Sequence, residues 1–144
     1  MKKSLLVMLM ILLFAFTPPA AADPRYDLQV ELKKQILCFP DQRPFIDTFG
    51  LRSFLPLRTV ADSLGMDLQW DADKNTAIVK HNNQEVRMEV GAKTILVKGS
   101  EQELNGRAEI MNNRLMVPAD FFSKGLGYDM YWDYGTRLVI IFEK

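Results

Sequence analysis

Between residues 57 and 80 the apolar positions change period. Leu57, Val60, Ala61 and Leu64 fall at i, i+3, i+4 and i+7, which lays one apolar stripe along a short helix. Met66, Leu68 and Trp70 then alternate with Asp67, Gln69 and Asp71, the two-residue period of a half-buried strand. The polar run Ala72-Asp73-Lys74-Asn75 turns the chain and Thr76 to Lys80 returns it, so the pattern predicts a helix followed by a β-hairpin. Pro56 stands at the first helical turn, where a missing N–H costs nothing, and Gly65 is placed to close the helix in a left-handed conformation. No Ser, Thr, Asp or Asn directly precedes Pro56, so no N-terminal side-chain cap is offered.

The same succession returns from Pro118 onward. Pro118, then Ala119, Phe122, Ser123 and Leu126, then Gly127 repeat the helix. Gly125 inside it costs about 1 kcal/mol relative to alanine, which makes this the weaker helix. Tyr128, Met130, Trp132, the turn at Tyr134-Gly135 and Leu138 to Phe142 repeat the hairpin. At one constant offset Arg52 matches Arg114, Pro56 matches Pro118, Leu64-Gly65 matches Leu126-Gly127 and Trp70-Asp71 matches Trp132-Asp133, without a gap through Ile78 and Ile140. Upstream the match continues with a small shift, Val30-Glu31-Leu32-Lys33 against Ile95-Leu96-Val97-Lys98. Between the copies Val86, Met88 and Val90 alternate, and Ile95 to Lys98 forms a strand before the turn at Lys98-Gly99-Ser100.

Two copies are too few for a solenoid, and each alone buries too little surface to be stable, so they are expected to pack as one pseudo-symmetric domain. The expected fold is α+β. It consists of two pseudo-repeats, near residues 28–80 and 93–142, each a short helix followed by a β-hairpin, on a mainly antiparallel sheet.

The N-terminal segment, Met1 to Ala22, follows neither period. Lys2-Lys3, the apolar run Leu5 to Phe16, the break at Thr17-Pro18-Pro19 and the small residues Ala20-Ala21-Ala22 read as a signal peptide cleaved after Ala22. The apolar run from Leu5 to Phe16 is shorter than the ~20 residues of a membrane-crossing helix, which disfavours a retained anchor. The expected domains are therefore a signal peptide, 1–22, and a single secreted domain, 23–144, with no membrane span after cleavage. Removing the leader takes two of 18 basic residues and none of the 18 acidic ones, a formal −2. That excludes a nucleic-acid binder, which needs a clustered basic excess. One cysteine, Cys38, and one histidine, His81, exclude an internal disulfide, a Cys/His zinc site and a multi-histidine copper site.

The run Phe39-Pro40-Asp41-Gln42-Arg43-Pro44-Phe45-Ile46-Asp47, followed by Leu55-Pro56-Leu57-Arg58, Ala61-Asp62-Ser63-Leu64-Gly65 and Trp70-Asp71, resembles the copper amine oxidase N-terminal-like, or stalk, domain. The resemblance spans about Leu28 to Lys144 and implies a module common in secreted proteins of Gram-positive bacteria. It implies a non-catalytic appendage, because the oxidase chemistry of such enzymes uses three histidines and a tyrosine-derived quinone in a separate domain. This chain departs from the family pattern at Pro118-Ala119-Asp120, where an aspartate replaces the usual arginine, so a function needing that arginine rests on Arg58.

Asp71-Ala72-Asp73-Lys74-Asn75 matches the start of a calcium loop, but Thr76 stands in place of the turn glycine and Asn82 in place of the bidentate glutamate. The run is expected to be a hairpin turn, and neither metal nor other cofactor is assigned. Trp70 and Trp132 are expected in the core, Cys38 buried as a small hydrophobe, and His81 in a solvated loop. Tyr131 and Tyr134, with Trp132 and Phe142, concentrate aromatic rings near the C-terminus, where an exposed strand face could stack on sugars. The expected function is a secreted, non-catalytic binding or scaffold module for a cell-wall polysaccharide or an extracellular protein, with Tyr131, Tyr134 and Arg58 as binding residues and no catalytic residue. Exposed strand edges would allow self-association. The alternatives are a small extracellular hydrolase using carboxylates and a purely architectural role.

Overall fold

The computed structural model describes residues 23–47, 49 and 52–144, and the leader expected over residues 1–22 lies outside them. A 3-10 turn (Pro24–Tyr26) opens the described chain. One sheet holds β1 (Gln29–Leu32), β2 (Gln35–Ile36), β12 (Asp129–Asp133) and β13 (Leu138–Phe142), in the order β12-β13-β1-β2. A second holds β3 (Phe45–Asp47), β4 (Arg52–Pro56), β10 (Glu109–Met111) and β11 (Arg114–Pro118), in the order β10-β11-β4-β3. The third runs in chain order through β5 (Asp67–Asp71), β6 (Thr76–His81), β7 (Gln84–Glu89), β8 (Thr94–Val97) and β9 (Ser100–Glu103). The α-helices α1 (Leu57–Ser63) and α2 (Asp120–Leu126) are two turns each.

This overturns the expected organisation, two helix-then-hairpin units on one mainly antiparallel sheet, while the mixed α+β content is roughly as expected. The described residues are mostly β, 48% strand against 14% helix, and the strands are divided among three sheets. Short strands on both sides of each helix carry much of the architecture, and β2 and β9 are exposed along their whole length. Such strands show no apolar alternation, so the two helical stripes dominate the pattern without dominating the fold.

The two halves interlock. In the second sheet Phe54 lies opposite Pro118, Leu55 opposite Val117 and Pro56 opposite Met116. Leu55 and Val117 are equivalent positions of the repeat and both fully buried, so β4 and β11 cross at matching positions with a local two-fold relation. In the first sheet, β1 of the first half lies parallel to β13 of the second, with Val30 opposite Val139. In the third, the β5–β6 hairpin of the first half joins β7–β9, Val79 opposite Val86 and Val86 opposite Val97. One core cluster runs from Leu28 to Ile141 and draws on both halves.

Leu57, Val60, Ala61 and Leu64 of the α1 stripe are all buried, and Gly65 closes the helix at φ +71°. Neither helix has a side-chain cap, because the N-cap residues, Pro56 and Ala119, carry no side-chain acceptor. The Ala119 N–H instead donates to the Ser53 carbonyl across the sheet.

Candidate functional site

Two clefts are built from matching positions of the two halves. The first, of about 440 Å³, combines the β4–α1 junction (Pro56, Leu57, Arg58), β5 (Leu68, Gln69, Trp70) and Ala77 with Arg114 and Leu115 of the opposite half. The second, of about 610 Å³, combines the β11–α2 junction (Pro118, Ala119, Asp120), β12 (Met130, Tyr131, Trp132) and Val139 with Arg52 and Ser53 of the opposite half. Every position just named in one cleft thus has its repeat counterpart in the other. This follows from the topology, since each helix start and following hairpin lies against a strand of the opposite half. The second cleft is the larger because Ala119 and Ser53 replace Leu57 and Leu115.

The chemistry of the two has diverged. At the start of the helix the first cleft carries Arg58 and the second Asp120, and on the following strand Gln69 is matched by Tyr131. In the second cleft, Asp120 Oδ2 accepts the Asn105 N–H at 2.9 Å and meets Lys124 Nζ at 2.9 Å, while Oδ1 is buried without a partner. Arg52 donates through Nη2 to Asp47 Oδ2 at 2.5 Å and through Nη1 to the Asn105 carbonyl at 3.1 Å, while its Nε is buried without a partner. The Phe49 N–H, then Arg52, hold the Asp47 carboxyl below the usual carboxylate range, so this ion pair persists at neutral pH. Trp132 Nε1 is likewise buried and unpaired. Among the described residues these are the buried side-chain polar atoms without a partner, and all three belong to residues lining the second cleft. An unmet buried donor or acceptor costs about 1–3 kcal/mol, so this part of the fold carries a local cost behind the cleft wall.

The three residues expected to form one binding surface are split. Tyr131 and Tyr134, 57% and 67% exposed, line the second cleft, and Arg58 lines the first. The Tyr134 ring meets Trp132 edge-on at 5.1 Å, which leaves Trp132 half-buried. Hydrogen bonds from Thr136 and from the Gly135 N–H to Asp133 fix the turn that carries Tyr134 and hold the Asp133 carboxyl low. Trp70 corrects the expectation of a core residue. Its indole is 46% exposed, because the position matching Tyr134 is Ala72, too small to cover it. That difference was present in the sequence, but only the geometry of the turn gives it meaning.

Cys38 is exposed rather than buried. His81 ends β6, half-buried, with Nε2 at 3.0 Å from the Tyr128 hydroxyl, and is not a free loop residue. Asp71 Oδ1 accepts the Lys74 N–H at 3.2 Å, the turn chemistry expected of that run. Copper does not fit this donor set: the lone histidine is engaged by a tyrosine, and among the described residues no group of three or more His, Cys, Asp or Glu could hold a metal ion.

A model of the copper amine oxidase N-terminal domain family matches residues 32–141, which cover both clefts, and this is a non-catalytic domain type. Among curated proteins nothing matches the chain.

Proposed function

The chain belongs to the copper amine oxidase N-terminal domain family, and on that premise we propose that it is a secreted, non-catalytic binding module whose second cleft takes a neutral sugar residue of a cell-envelope polymer. The observation that carries this reading is the grouping of the exposed Tyr131 and Tyr134 with Trp132, Asn105, Ser123 and Asp120 along one cleft. A sugar hydroxyl both accepts and donates, so it suits the mixed donors and acceptors of Asn105, Ser123 and Asp120 that line the cleft. The C–H face of the same ring suits the exposed Tyr131 and Tyr134. Hydrolysis of a glycoside needs two carboxylates about 5–9.5 Å apart, and Asp120 is the one carboxylate among the lining residues. The leader supports export, and among the described residues no helix is long and apolar enough to cross a membrane.

The test is co-sedimentation of residues 23–144 with cell-envelope preparations before and after their proteins are stripped. Binding is expected to survive stripping, to vary little with salt, and to weaken roughly tenfold with Tyr131→Ala or Tyr134→Ala, the loss typical of an aromatic anchor. Binding lost on stripping would replace the polymer with a protein partner. Turnover of the polymer that disappears in Asp120→Asn would establish the hydrolase instead.

A further inference from the structure

We propose that the first cleft is a second binding site, specific for a carboxylate-bearing sugar residue, and that the module is therefore bivalent. The argument for this site rests on that cleft alone, and the bivalency rests in addition on the sugar site proposed for the second cleft. At the position where the second cleft carries Asp120, the first carries Arg58, exposed and with neither hydrogen bond nor ion pair among the described residues. Arg114 stands on the opposite wall with its Nη2 given to Asp41 and the rest of its guanidinium unpaired among the described residues. No acidic residue lines the cleft, so Arg58 acts unopposed within it, whereas Arg114 already shares its charge with Asp41. The apolar part of the wall is the Trp70 indole, 46% exposed, with Ile110, 50% exposed, and Leu68.

This combination selects for a ligand with two faces. A flat aromatic wall answers the C–H face of a pyranose, and a guanidinium fork answers a carboxylate with two parallel hydrogen bonds. A neutral sugar would leave Arg58 unused, and a bare anion would leave Trp70 exposed. A uronic acid satisfies both. Two sites on one small domain let it engage a mixed polymer at two residues, or bridge two strands of it, which raises avidity without any new contact.

The chain contains two tryptophans, one in each cleft, so the two indole N–H signals of a 15N-labelled protein report the clefts separately. The core side chains lie between Leu28 and Ile141, so residues 23–144 serve for the measurement, with Trp70→Phe assigning the signals. Oligogalacturonate is titrated in parallel with its fully methyl-esterified form. The acid is expected to move the Trp70 signal, with the ester binding at least tenfold more weakly. Arg58→Gln is expected to lower the affinity for the acid at least tenfold and to leave the Trp132 signal in place, which certifies the fold, while Arg58→Lys recovers part of the loss. Equal affinity for acid and ester, an unmoved Trp70 signal, or inorganic phosphate moving it as readily as the uronate would overturn the proposal. So would a Trp70 shift that grows with protein concentration alone, which would assign the surface to a second copy of the chain. A response of the Trp132 signal to neutral oligosaccharide decides the second cleft independently.

Discussion

Gly125 sets the distance between α2 and the sheet beneath it. A Cβ at this position would lie 3.0 Å from Ile95 Cδ1 and 3.2 Å from Val86 Cγ1, and both of those side chains are enclosed in the core. Helix propensity alone makes Gly→Ala favourable by about 1 kcal/mol, whereas overpacking a filled core costs about 1–3 kcal/mol. Two branched, fully buried neighbours leave little room to yield, so Gly125→Ala is expected to lower stability by about 1 kcal/mol in urea unfolding, with an unchanged m-value. Removing the closest methyl with Ile95→Val should reverse the sign in the double variant. A stabilised single variant would show that the contact is loose. From the sequence this glycine reads as a weak point in a helix. Its packing role needs Val86 and Ile95, both on strands far upstream in the chain, to be placed against it. The candidate site was legible to the same degree: Tyr131, Tyr134 and Arg58 stand out by type and exposure, but their division between two clefts and the parts played by Arg52 and Asp120 depend on strand neighbours that no local pattern names.

At the scale of elements, four two-residue turns hold both residues at positive φ: Lys33-Lys34, Asn82-Asn83, Lys98-Gly99 and Asn112-Asn113. Such turns match the twist of the strands they join and favour Asn and Gly, which enter the left-handed region at low cost. Lys33-Lys34 is the exception, at φ 51° and 64°, where the matching turn of the second half has Gly99. A left-handed residue with a Cβ costs about 1–2 kcal/mol, and the greater freedom of glycine in the unfolded chain returns roughly half of that. Lys34→Gly is accordingly expected to stabilise the protein by about 0.5–1 kcal/mol, seen as a higher urea midpoint, and a lower midpoint would sink the strain argument. The turn joins β1 to β2 and so holds the register in which Val30 and Leu32 meet β13. The elements that could be read from the sequence are those with one buried face, namely the α1 stripe and the alternation around β7. Strands such as β9, exposed throughout, leave no trace in the pattern, which is why the number of sheets was not legible.

For the molecule as a whole, the matching halves suggest two similar units side by side, yet neither half completes its own sheets. β1 needs β13, β6 needs β7, and β4 needs β11, so each half exposes unpaired strand edges and core faces until the other arrives. The sequence shows which faces are apolar but not which strand lies beside which, because a strand pairs equally well with a near or a distant partner of suitable pattern. Exchange of this kind makes the stability of the halves inseparable, and cooperative all-or-none unfolding follows. Residues 23–83 and 84–144, cut at the Asn82-Asn83 turn, are expected to be unfolded when separate and to recover both native indole signals when mixed. In the intact chain the Trp70 and Trp132 signals should disappear at the same urea concentration. A native-like Trp signal from either half alone, or two separate midpoints, would show autonomous units. Because both clefts take walls from both halves, filling either one should raise that shared stability, by about 2.7 kcal/mol at a hundredfold excess over Kd. Binding at one cleft then holds together the strands that form the other, so recognition at each site is coupled to the integrity of the whole fold.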